Sequence, residues 1–474
     1  MSRVEELSLL AENVGETVLI RGRVHRVRVK GKAGFIVLRK GMETLQACIF
    51  AKDPDDSISK EVLQQLKGLT LETVIELIGV VNKTPRPVLT CSVKDVEIAI
   101  REVKVLSPAT PQLPLLVEDA SRSDKEIERL IEQAKKKGKD EATVVVVTKP
   151  TRLDNRVIDL RTPANQAIFR IQSGVCRFFR EYLIGEGFTE IHSPKIIGGA
   201  SEGGCDVFKL DYFGSEACLA QSPQLYKQAA ICADMKRVFE IGPVFRAEHS
   251  HTHRHLCEFT GLDFEMEIEE DYHEILTLYH NLFLHIFKGL NTVFAKELKA
   301  VDEQYPFEPF VFTEKPVIIS FPEGVKMLRE AGYEQADEED LAAEQEKALG
   351  RLVKEKFGTD FYMLDKFPMA VRPFYTMPDP ENPKYSNSYD IFMRGQEITS
   401  GAQRIHVQKL LAECALKKGV TPESLGAYFD NFAYGCPPHG GAGIGLERVV
   451  MLFLDLPNCQ MTSFFCRTPT RLAP

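Results

Sequence analysis

The stretch from Val238 to Glu267, VFEIGPVFRAEHSHTHRHLCEFTGLDFEME, constrains the fold more than any other part of the chain. Both arms alternate apolar and polar residues and are rich in β-favouring types, which predicts two strands joined by a long polar loop. Because residues two apart share a strand face, the return arm presents one set together. That set is Phe259, Gly261, Asp263 and Glu265. With Arg246 and Glu248 on the outgoing arm, this surface offers a stacking ring, a close-approach glycine and a guanidinium for phosphate oxygens. The alternative is a plain hairpin with a charged solvent face.

A second feature, the segment Gly440 to Phe453 with sequence GGAGIGLERVVMLF, favours a nucleotide-binding surface over a plain charged hairpin. Its glycines lead into an apolar run, which predicts a strand or loop that enters a helix. Arg448 lies near the predicted helix start, where backbone N–H groups and the macrodipole also favour an anion. The segment is neither a phosphate loop nor a dinucleotide fingerprint. Together, the two segments predict a nucleoside triphosphate site.

Three segments resemble, in order, the three motifs of class II aminoacyl-tRNA synthetases. They are the helix Asn165 to Glu186 followed by GFTEIHSPKI, FRAE with its loop and EFTGLDFEME, and GIGLER. The chain is similar in particular to the aspartate-specific branch of the eukaryotic and archaeal cytosolic type. The segments that carry this closer likeness are SEGGCDVF at 201–208, AQSPQLYKQ at 220–228, RPFYTMPDP at 372–380 and ITSGAQRIH at 398–406. The resemblance covers nearly the whole chain and implies an α+β protein. Its parts would be an N-terminal OB-fold β-barrel and a class II catalytic domain built on an antiparallel β-sheet flanked by helices.

The first hundred residues predict the same barrel from their own pattern, because five strand-like runs carry a helical segment between the third and the fourth. The proline-rich stretch Ser107 to Leu116 marks the end of this domain. We therefore expect an anticodon-binding OB-fold over 1–110, a hinge or linker with a charged insertion over 111–155, and a catalytic domain over 156–474. The charged part, 121–149, is typical of a solvated or flexible linker, with contact to the tRNA body as the alternative.

The formal net charge of −9 argues against bulk electrostatic attraction to nucleic acid, so RNA contact requires local basic patches. The first strand and its turn supply one: Arg21, Arg23, His25, Arg26, Arg28, Lys30 and Lys32. The resemblance assigns anticodon reading to Phe35, by stacking, and to Gln46, by base-edge contact. Inward packing of Phe35 is the equal alternative. The N-terminus resembles no signal or transit peptide, no run is long enough to cross a membrane, and the 11 cysteines form no CxxC pair, which together predict a cytoplasmic protein.

The resemblance implies an ATP-dependent ligase that joins L-aspartate to tRNA(Asp) through an aspartyl-adenylate. In-line displacement at phosphorus needs neutralised charge and alignment rather than a protein nucleophile. The family pattern assigns this catalytic work to Arg246 and Arg448. The implied ATP-binding set is Arg246, Ala247, Glu248, Arg254, His255, Leu256, Phe259, Glu397, Gly445, Leu446, Glu447 and Arg448. Asp390, Glu397 and Ser400 resemble Mg²⁺ ligands, as hard oxygen donors beside phosphates, although acidic strand residues are also common surface groups.

Choosing aspartate over asparagine is a problem of charge, because the two side chains are nearly isosteric. Arg404 can pair bidentately with a carboxylate and Lys227 adds a point charge, whereas Asp263 and Glu202 would receive the α-ammonium group. The full aspartate-binding set is Glu202, Gln224, Lys227, Arg246, Asp263, Ser400 and Arg404. Lys227 favours aspartate over asparagine in this family.

The resemblance also implies a homodimer through the first motif, whose helix carries an apolar stripe; packing within one chain would produce the same pattern. A zinc site in HTHRHLC is disfavoured, because its alternate residues would all lie on one element. Two other functions stay open: a catalytically inactive, synthetase-derived RNA-binding or regulatory protein, and an asparagine-specific synthetase. The C-terminal tail, FFCRTPTRLAP, differs from the FPRDPKRL that is usual in the family. Its effect stays open, as do the charging of tRNA(Asn), the formation of larger complexes and the role of segment 121–149.

Overall fold

A computed structural model describes residues 2–51, 57–199, 206–249, 252–421 and 426–474. Contacts divide the chain into two compact units, Met1–Ala167 and Ile168–Pro474, with the boundary inside the helix Pro163–Gly185. No helix in the described ranges is both long enough and apolar enough to cross a membrane.

The first unit is a β-barrel. Its strands in the described residues are β1 (Ser2–Arg3), β2 (Thr17–Lys30), β3 (Ala33–Lys40), β4 (Glu43–Phe50), β5 (Val74–Lys83) and β6 (Val96–Ser107). The order is β1-β2-β3-β4-β6-β5, and an additional β2–β5 pairing closes five strands into a barrel. The helix Ser57–Gly68 lies between the third and fourth barrel strands. The predicted OB-fold is confirmed.

Apolar side chains at alternate positions along the strands point inward and fill this barrel. On β3, Ile36 and Leu38 are buried, whereas Val37 between them is half-buried on the outer side. Gly34 allows the helix to close one end, because a Cβ at this position would lie only 2.8 Å from Leu63 Cδ2. A 3₁₀ turn, Leu7–Asn13, lies between β1 and β2. After the barrel come the helices Val117–Ala120, Asp124–Lys136, Lys149–Asp154 and Arg156–Asp159, with a 3₁₀ turn at Glu141–Thr143.

The second unit is built on a large sheet. Its strands in the described residues are β7 (Thr189–Glu190), β8 (Ile196–Ile197), β9 (Lys209–Tyr212), β10 (Ser215–Leu219), β11 (Arg237–Phe245), β12 (Glu258–Glu267), β13 (Ile318–Ser320), β14 (Phe361–Asp365), β15 (Ser388–Met393), β16 (Gln396–Gln403) and β17 (His439–Gly445). Eight of them form one sheet in the order β13-β14-β15-β16-β17-β12-β11-β7, and β8-β10-β9 form a small second sheet. The six central strands of the large sheet pair antiparallel, as predicted. The edge strands β13 and β7 pair in parallel, so the complete sheet is mixed.

Helices flank this sheet. They are Pro163–Gly185, Gln224–Cys232, His273–Val293, Ala295–Gln304, Phe321–Glu330, Ala343–Phe357, Gln408–Lys417, Ala427–Asn431 and Leu446–Phe453, with 3₁₀ turns at Met369–Val371, Phe432–Tyr434 and Cys459–Met461. The apolar stripe of Pro163–Gly185 is largely buried within this chain: Phe179, for example, is fully buried with its ring 6.0 Å from that of Phe239. The stripe is therefore accounted for by packing inside one chain and supplies no separate argument for a dimer.

The predicted hairpin is β11 and β12, which pair in register from Arg237 opposite Met266 to Phe245 opposite Glu258. The second predicted segment is also as expected, since β17 runs directly into the helix Leu446–Phe453. Pairing of β12 with β17 places these two segments side by side in the middle of the sheet. The C-terminal tail returns to the hairpin, where the Cys257 N–H donates to the carbonyl oxygen of Arg467 (2.8 Å).

Candidate active site

A cavity of about 350 Å³ lies in the second unit, on the central strands of the large sheet. Five segments that the sequence singled out, far apart in the chain, meet in its walls. They are the AQSPQLYKQ segment, the hairpin, the RPFYT segment, the ITSGAQR segment and GIGLER. The predicted site residues that line the cavity are Gln224, Arg246, Glu248, Arg254, His255, Leu256, Phe259, Asp263, Glu397, Ser400, Arg404, Gly445, Glu447 and Arg448.

Two arginines converge on this cavity. The guanidinium of Arg246 lies 5.4 Å from the ring centroid of Phe259, and its Nε donates to the Gln221 carbonyl oxygen at 3.5 Å. Arg448, in the first turn of its helix, donates from Nη1 to the Glu397 carbonyl oxygen (3.0 Å) and from Nη2 to that of Arg254 (3.1 Å). Both guanidinium groups are therefore held in place by the backbone, which suits binding of a polyanion.

The loop between the hairpin strands contributes a further guanidinium and an imidazole. Arg254 donates from Nη1 to Glu346 Oε2 (3.2 Å), and His255 Nδ1 is hydrogen-bonded to Thr252 Oγ1. Burial lowers the pKa of His255, with the nearby Glu248 opposing this effect. Glu346 lies in the helix Ala343–Phe357, and its contact with Arg254 had no signal in the local sequence pattern.

Three predicted nucleotide residues serve the framework of the cavity. Both carboxylate oxygens of Glu447 accept the backbone N–H of Thr260, at 3.2 and 3.1 Å, and burial raises the pKa of Glu447 to about 7. Ala247 donates its N–H to the Asp206 carbonyl oxygen (2.9 Å), and Leu446 is buried. Neither Ala247 nor Leu446 lines the cavity.

A buried ionic cluster closes one end of the cavity. Lys227 is fully buried, and its Nζ lies 2.9 Å from Asp263 Oδ1 and 3.5 Å from Glu265 Oε2. Arg404 donates from Nε to Glu265 Oε1 (2.9 Å) and from Nη2 to Gln224 Oε1 (3.1 Å). Burial opposes ionisation of Glu265, but Arg404 and Lys227 together hold its pKa below the usual value. Two buried cations thus face two buried carboxylates.

The cluster has two layers. Asp263 and Arg404 line the cavity, whereas Lys227 and Glu265 lie behind them. The sequence predicted Lys227 but did not single out Glu265 as a ligand; the available signal was its position two residues from Asp263 on the same strand face. Gly443 lets β17 pack closely against the Asp263 carboxylate, because a Cβ at position 443 would lie 3.0 Å from Asp263 Cγ.

Asp390, Glu397 and Ser400 lie on adjacent strands, with Asp390 directly opposite Ser400. Glu397 and Ser400 line the cavity, whereas Asp390 is buried. Arg372 connects two of the three residues: its Nη2 donates to Asp390 Oδ1 (2.9 Å) and its Nη1 donates to Ser400 Oγ. Burial raises the pKa of Asp390 to about 7, and Glu397 adds to this effect while Arg372 opposes it. Sequence reasoning did not predict Arg372, which holds two of these three oxygen donors.

No cluster of three or more His, Cys, Asp or Glu side chains with metal-binding geometry occurs within the described ranges. The residues His253 and Arg254 form a turn instead of the strand on which the zinc alternative was weighed. Glu202, predicted to contact aspartate, lies outside the described residues. The oxygen donors of Glu397, Ser400 and Asp390 are nevertheless of the hard type that Mg²⁺ prefers, with phosphates completing its shell.

In the first unit, Phe35 and Gln46 lie on the outer face of adjacent barrel strands. Phe35 is half-buried, and its ring packs edge-on against Phe50 with centroids 5.6 Å apart. Gln46 donates from Nε2 to Glu97 Oε2 (2.7 Å). The alternative that Phe35 fills the barrel interior is wrong, because the inward positions belong to its neighbours Gly34 and Ile36.

Comparisons with known proteins agree with this architecture. A family model described as "tRNA synthetases class II (D, K and N)" matches residues 148–469, and one described as "OB-fold nucleic acid binding domain" matches residues 18–106. The synthetase match covers more than half of the chain and coincides with the sheet that has an antiparallel core, so the chain is a class II aminoacyl-tRNA synthetase.

The human protein "Aspartate--tRNA ligase, cytoplasmic" is 51% identical over 472 residues, which cover 100% of this chain and 91% of the relative. The solved structure of an aspartyl-tRNA synthetase from Entamoeba histolytica has a TM-score of 0.91 at 45% identity, over 100% of this chain and 92% of that one. A structure from Leishmania major Friedlin, described as a putative aspartyl-tRNA synthetase, has the same TM-score at 41% identity, over 100% and 95%. This chain belongs to the aspartate–tRNA ligase family. Membership implies that ATP, an amino acid and tRNA are its substrates.

Proposed function

We propose that this protein joins L-aspartate to tRNA(Asp) through an aspartyl-adenylate, in the cytoplasm, where its named relatives act. The observation that carries the proposal is the buried cluster at the end of the cavity. Arg404 faces the cavity with a guanidinium that a carboxylate ligand can pair with, and Lys227 reinforces its positive charge from behind. A neutral amide would leave these cations without that partner, which penalises asparagine.

In the activation step, the α-carboxylate of aspartate attacks the α-phosphorus of ATP and pyrophosphate leaves. Arg246 holds the α-phosphate and bridges it to the attacking carboxylate, while Arg448 holds the γ-phosphate end. Phe259 stacks on adenine, and Arg254 and His255 approach the triphosphate from the hairpin loop. Support comes from their common cavity and from the backbone bonds that fix Arg448. Such fixed cations neutralise charge without reorganisation during the reaction.

The remaining predicted nucleotide contacts complete this wall. Glu248 lies with them on the cavity, and Gly445 leaves room where the strand meets the helix. Leu446, Glu447 and Ala247 act on the nucleotide indirectly, because they hold the backbone around the cavity in place. Glu447 accepts from the Thr260 N–H, Ala247 donates to the Asp206 carbonyl oxygen, and Leu446 is buried.

We assign Mg²⁺ to Glu397 and Ser400, with Asp390 as the third oxygen donor. The ion supplies neutralisation of the triphosphate charge when bound. Glu397 and Asp390 are adjacent carboxylates with raised pKa values, and a divalent cation favours their ionised forms. Arg372, which now contacts both Asp390 and Ser400, keeps these groups oriented.

In aspartate binding, Asp263 receives the α-ammonium group together with Glu202. Gln224 and Arg404 face the side-chain carboxylate, Lys227 acts from the second layer, and Ser400 and Arg246 border the α-carboxylate. The proximity of Gln224, Asp263 and Arg404 in one wall supports this arrangement.

The division of labour follows the order of the chain. Residues 1–110 read the anticodon through Phe35 and Gln46, residues 111–155 form the hinge, and residues 156–474 perform catalysis. The outward position of Phe35 beside the exposed Phe50 ring supports stacking with an RNA base. We also propose a homodimer on the strength of the family resemblance.

Aspartate-dependent exchange of pyrophosphate into ATP tests the proposal. We expect exchange with aspartate and not with asparagine, and its loss in Arg404→Leu and in Lys227→Glu with folding retained, as judged by circular dichroism. No exchange by a folded protein that still binds tRNA would favour the inactive alternative; asparagine-dependent exchange would favour the other. Neither alternative has an observation in its favour here.

A further inference from the structure

Behind Arg404 runs a chain of buried amide and imidazole groups. It starts at Gln224, a proposed aspartate contact, and continues into residues to which the reaction as described assigns no role. Its members are Gln224, Gln228 and His439, with Tyr428 as a side branch. Gln228 is fully buried, as is His439. We propose that this chain is a directional hydrogen-bond relay in which neutral His439 orients Arg404 for the aspartate carboxylate. The inference rests on the proposed role of Arg404.

The direction of every bond follows from the ends of the relay. His439 Nδ1 lies 2.9 Å from the carbonyl oxygen of Pro437, which can only accept, so Nδ1 carries the hydrogen. In the neutral ring Nε2 is then an acceptor. Gln228 Nε2, at 3.0 Å, must be the donor to it, which turns Gln228 Oε1 the other way.

The same logic extends to the cavity. Gln228 Oε1 accepts from Gln224 Nε2 (3.2 Å) and from the Tyr428 hydroxyl (3.1 Å). Gln224 must therefore turn its Oε1 outward, where it accepts from Arg404 Nη2 (3.1 Å). A guanidinium can only donate, so this orientation is the one that Arg404 requires. One proton position on His439 thus sets two amide orientations.

Protonation of His439 would reverse the relay. The imidazolium carries a hydrogen on both nitrogens, so Gln228 would have to turn its oxygen toward Nε2 and its NH₂ group toward Gln224. Gln224 would then present its own NH₂ group to Arg404, placing two donors against each other. The guanidinium would lose a fixed contact and its alignment with a carboxylate ligand.

The surroundings of His439 keep it neutral. Burial lowers its pKa, and Arg404 and His406 lower it further, while Glu265 on the adjacent strand and the Pro437 carbonyl oppose them. Other groups packed around the ring are Glu267, its cross-strand partner, Cys436 with Sγ 3.4 Å from Nδ1, and the ring of Phe432. The relay is therefore set for aspartate at neutral pH and is reversed only in acid.

The test measures KM and kcat in aspartate-dependent pyrophosphate exchange between about pH 5 and pH 8, the interval in which histidines titrate. His439→Gln places an amide oxygen near the position of Nε2 but cannot be protonated. We expect it to keep the wild-type KM at the alkaline end and to lack the rise in KM that the wild type shows in acid. His439→Leu, which removes the acceptor, should raise the KM for aspartate by roughly tenfold and reduce discrimination against asparagine, with a smaller change in kcat.

His280→Leu is the matched control. His280 is also buried and hydrogen-bonded to a carbonyl oxygen, that of Glu314 at 3.0 Å, but it does not line the cavity or join the relay. We expect its KM for aspartate and the pH dependence of that KM to match the wild type, although its melting temperature is lower.

Should His439→Leu fail to fold, Gln228→Glu answers the same question. A glutamate there still accepts from Gln224 and pairs with protonated His439, so KM should stay near the wild-type value and its rise in acid should vanish. An unchanged KM in folded His439→Leu, or the same acid-side rise in His439→Gln, would overturn the relay. Absence of any aspartate-dependent exchange in the wild type would instead reject the proposed function.

Discussion

Replacing Glu265 by glutamine provides the sharpest test of the buried cluster. The substitution is isosteric and keeps one oxygen that can accept from Arg404, but it removes the charge that compensates Arg404 and Lys227. Their nitrogen atoms lie 2.9 and 3.5 Å from the carboxylate. At an effective dielectric constant of about 20, each pair contributes a gross attraction of roughly 5 kcal/mol, much of which offsets desolvation of the ions. Breaking such a pair while leaving a buried charge costs about 3 to 5 kcal/mol.

We therefore expect Glu265→Gln to lower the melting temperature of the ligand-free protein by several degrees. Saturating aspartate should restore more stability to this variant than to the wild type, because the side-chain carboxylate of the ligand supplies the missing negative charge. The assay is thermal unfolding with and without aspartate, at constant pH and salt.

Glu240→Gln is the control for this experiment. Glu240 is also buried and pairs with Lys195 at 2.6 Å, on the strand beside β12, but it does not line the cavity. The Glu240→Gln variant should melt at a lower temperature than the wild type, and saturating aspartate should stabilise it no more than it stabilises the wild type. The reasoning is refuted if Glu265→Gln melts at the wild-type temperature, or if aspartate restores both variants equally.

Three further predictions concern other parts of the chain. Phe35→Ala should weaken charging of tRNA by roughly ten- to a hundredfold, for the loss of one stacked base, and Gln46→Ala should weaken it through the loss of a base-edge hydrogen bond. Both should spare pyrophosphate exchange, and equal loss of both reactions would contradict the two-domain division. Gly443→Ala should raise the KM for aspartate at least tenfold, because its Cβ would overlap the Asp263 carboxylate, and an unchanged KM would show that this carboxylate does not contact the ligand. The folded-state pKa of Glu447 is raised to about 7, so its contribution to stability is full below the ordinary glutamate pKa and is lost as the pH rises through 7. Glu447→Gln should therefore be more stable than the wild type at alkaline pH and should lose this advantage near pH 4.5. Melting curves recorded across this pH range measure the difference.

Local patterns in the sequence predicted much of the fold. Alternation in β11 and β12 predicted the hairpin, and glycines before an apolar run predicted the entry of β17 into its helix. These features are recoverable because the period of apolar residues determines which element forms and which face is buried. The segments that line the cavity were also found in advance, since each carries unusual residue types within a few positions.

The sequence by itself thus determined the elements, their buried faces and the identity of most charged groups in the cavity. Tertiary structure decided the partners: it placed Lys227 and Glu265 behind the cavity wall, joined Arg372 to Asp390, brought Glu346 to Arg254, and covered the apolar stripe of the first-motif helix within one chain. The physical reason is that ion pairing and burial depend on distances through space. Glu265 and Arg404 are 139 positions apart, and only the pairing of β12 and β16 with β17 brings their side chains to 2.9 Å.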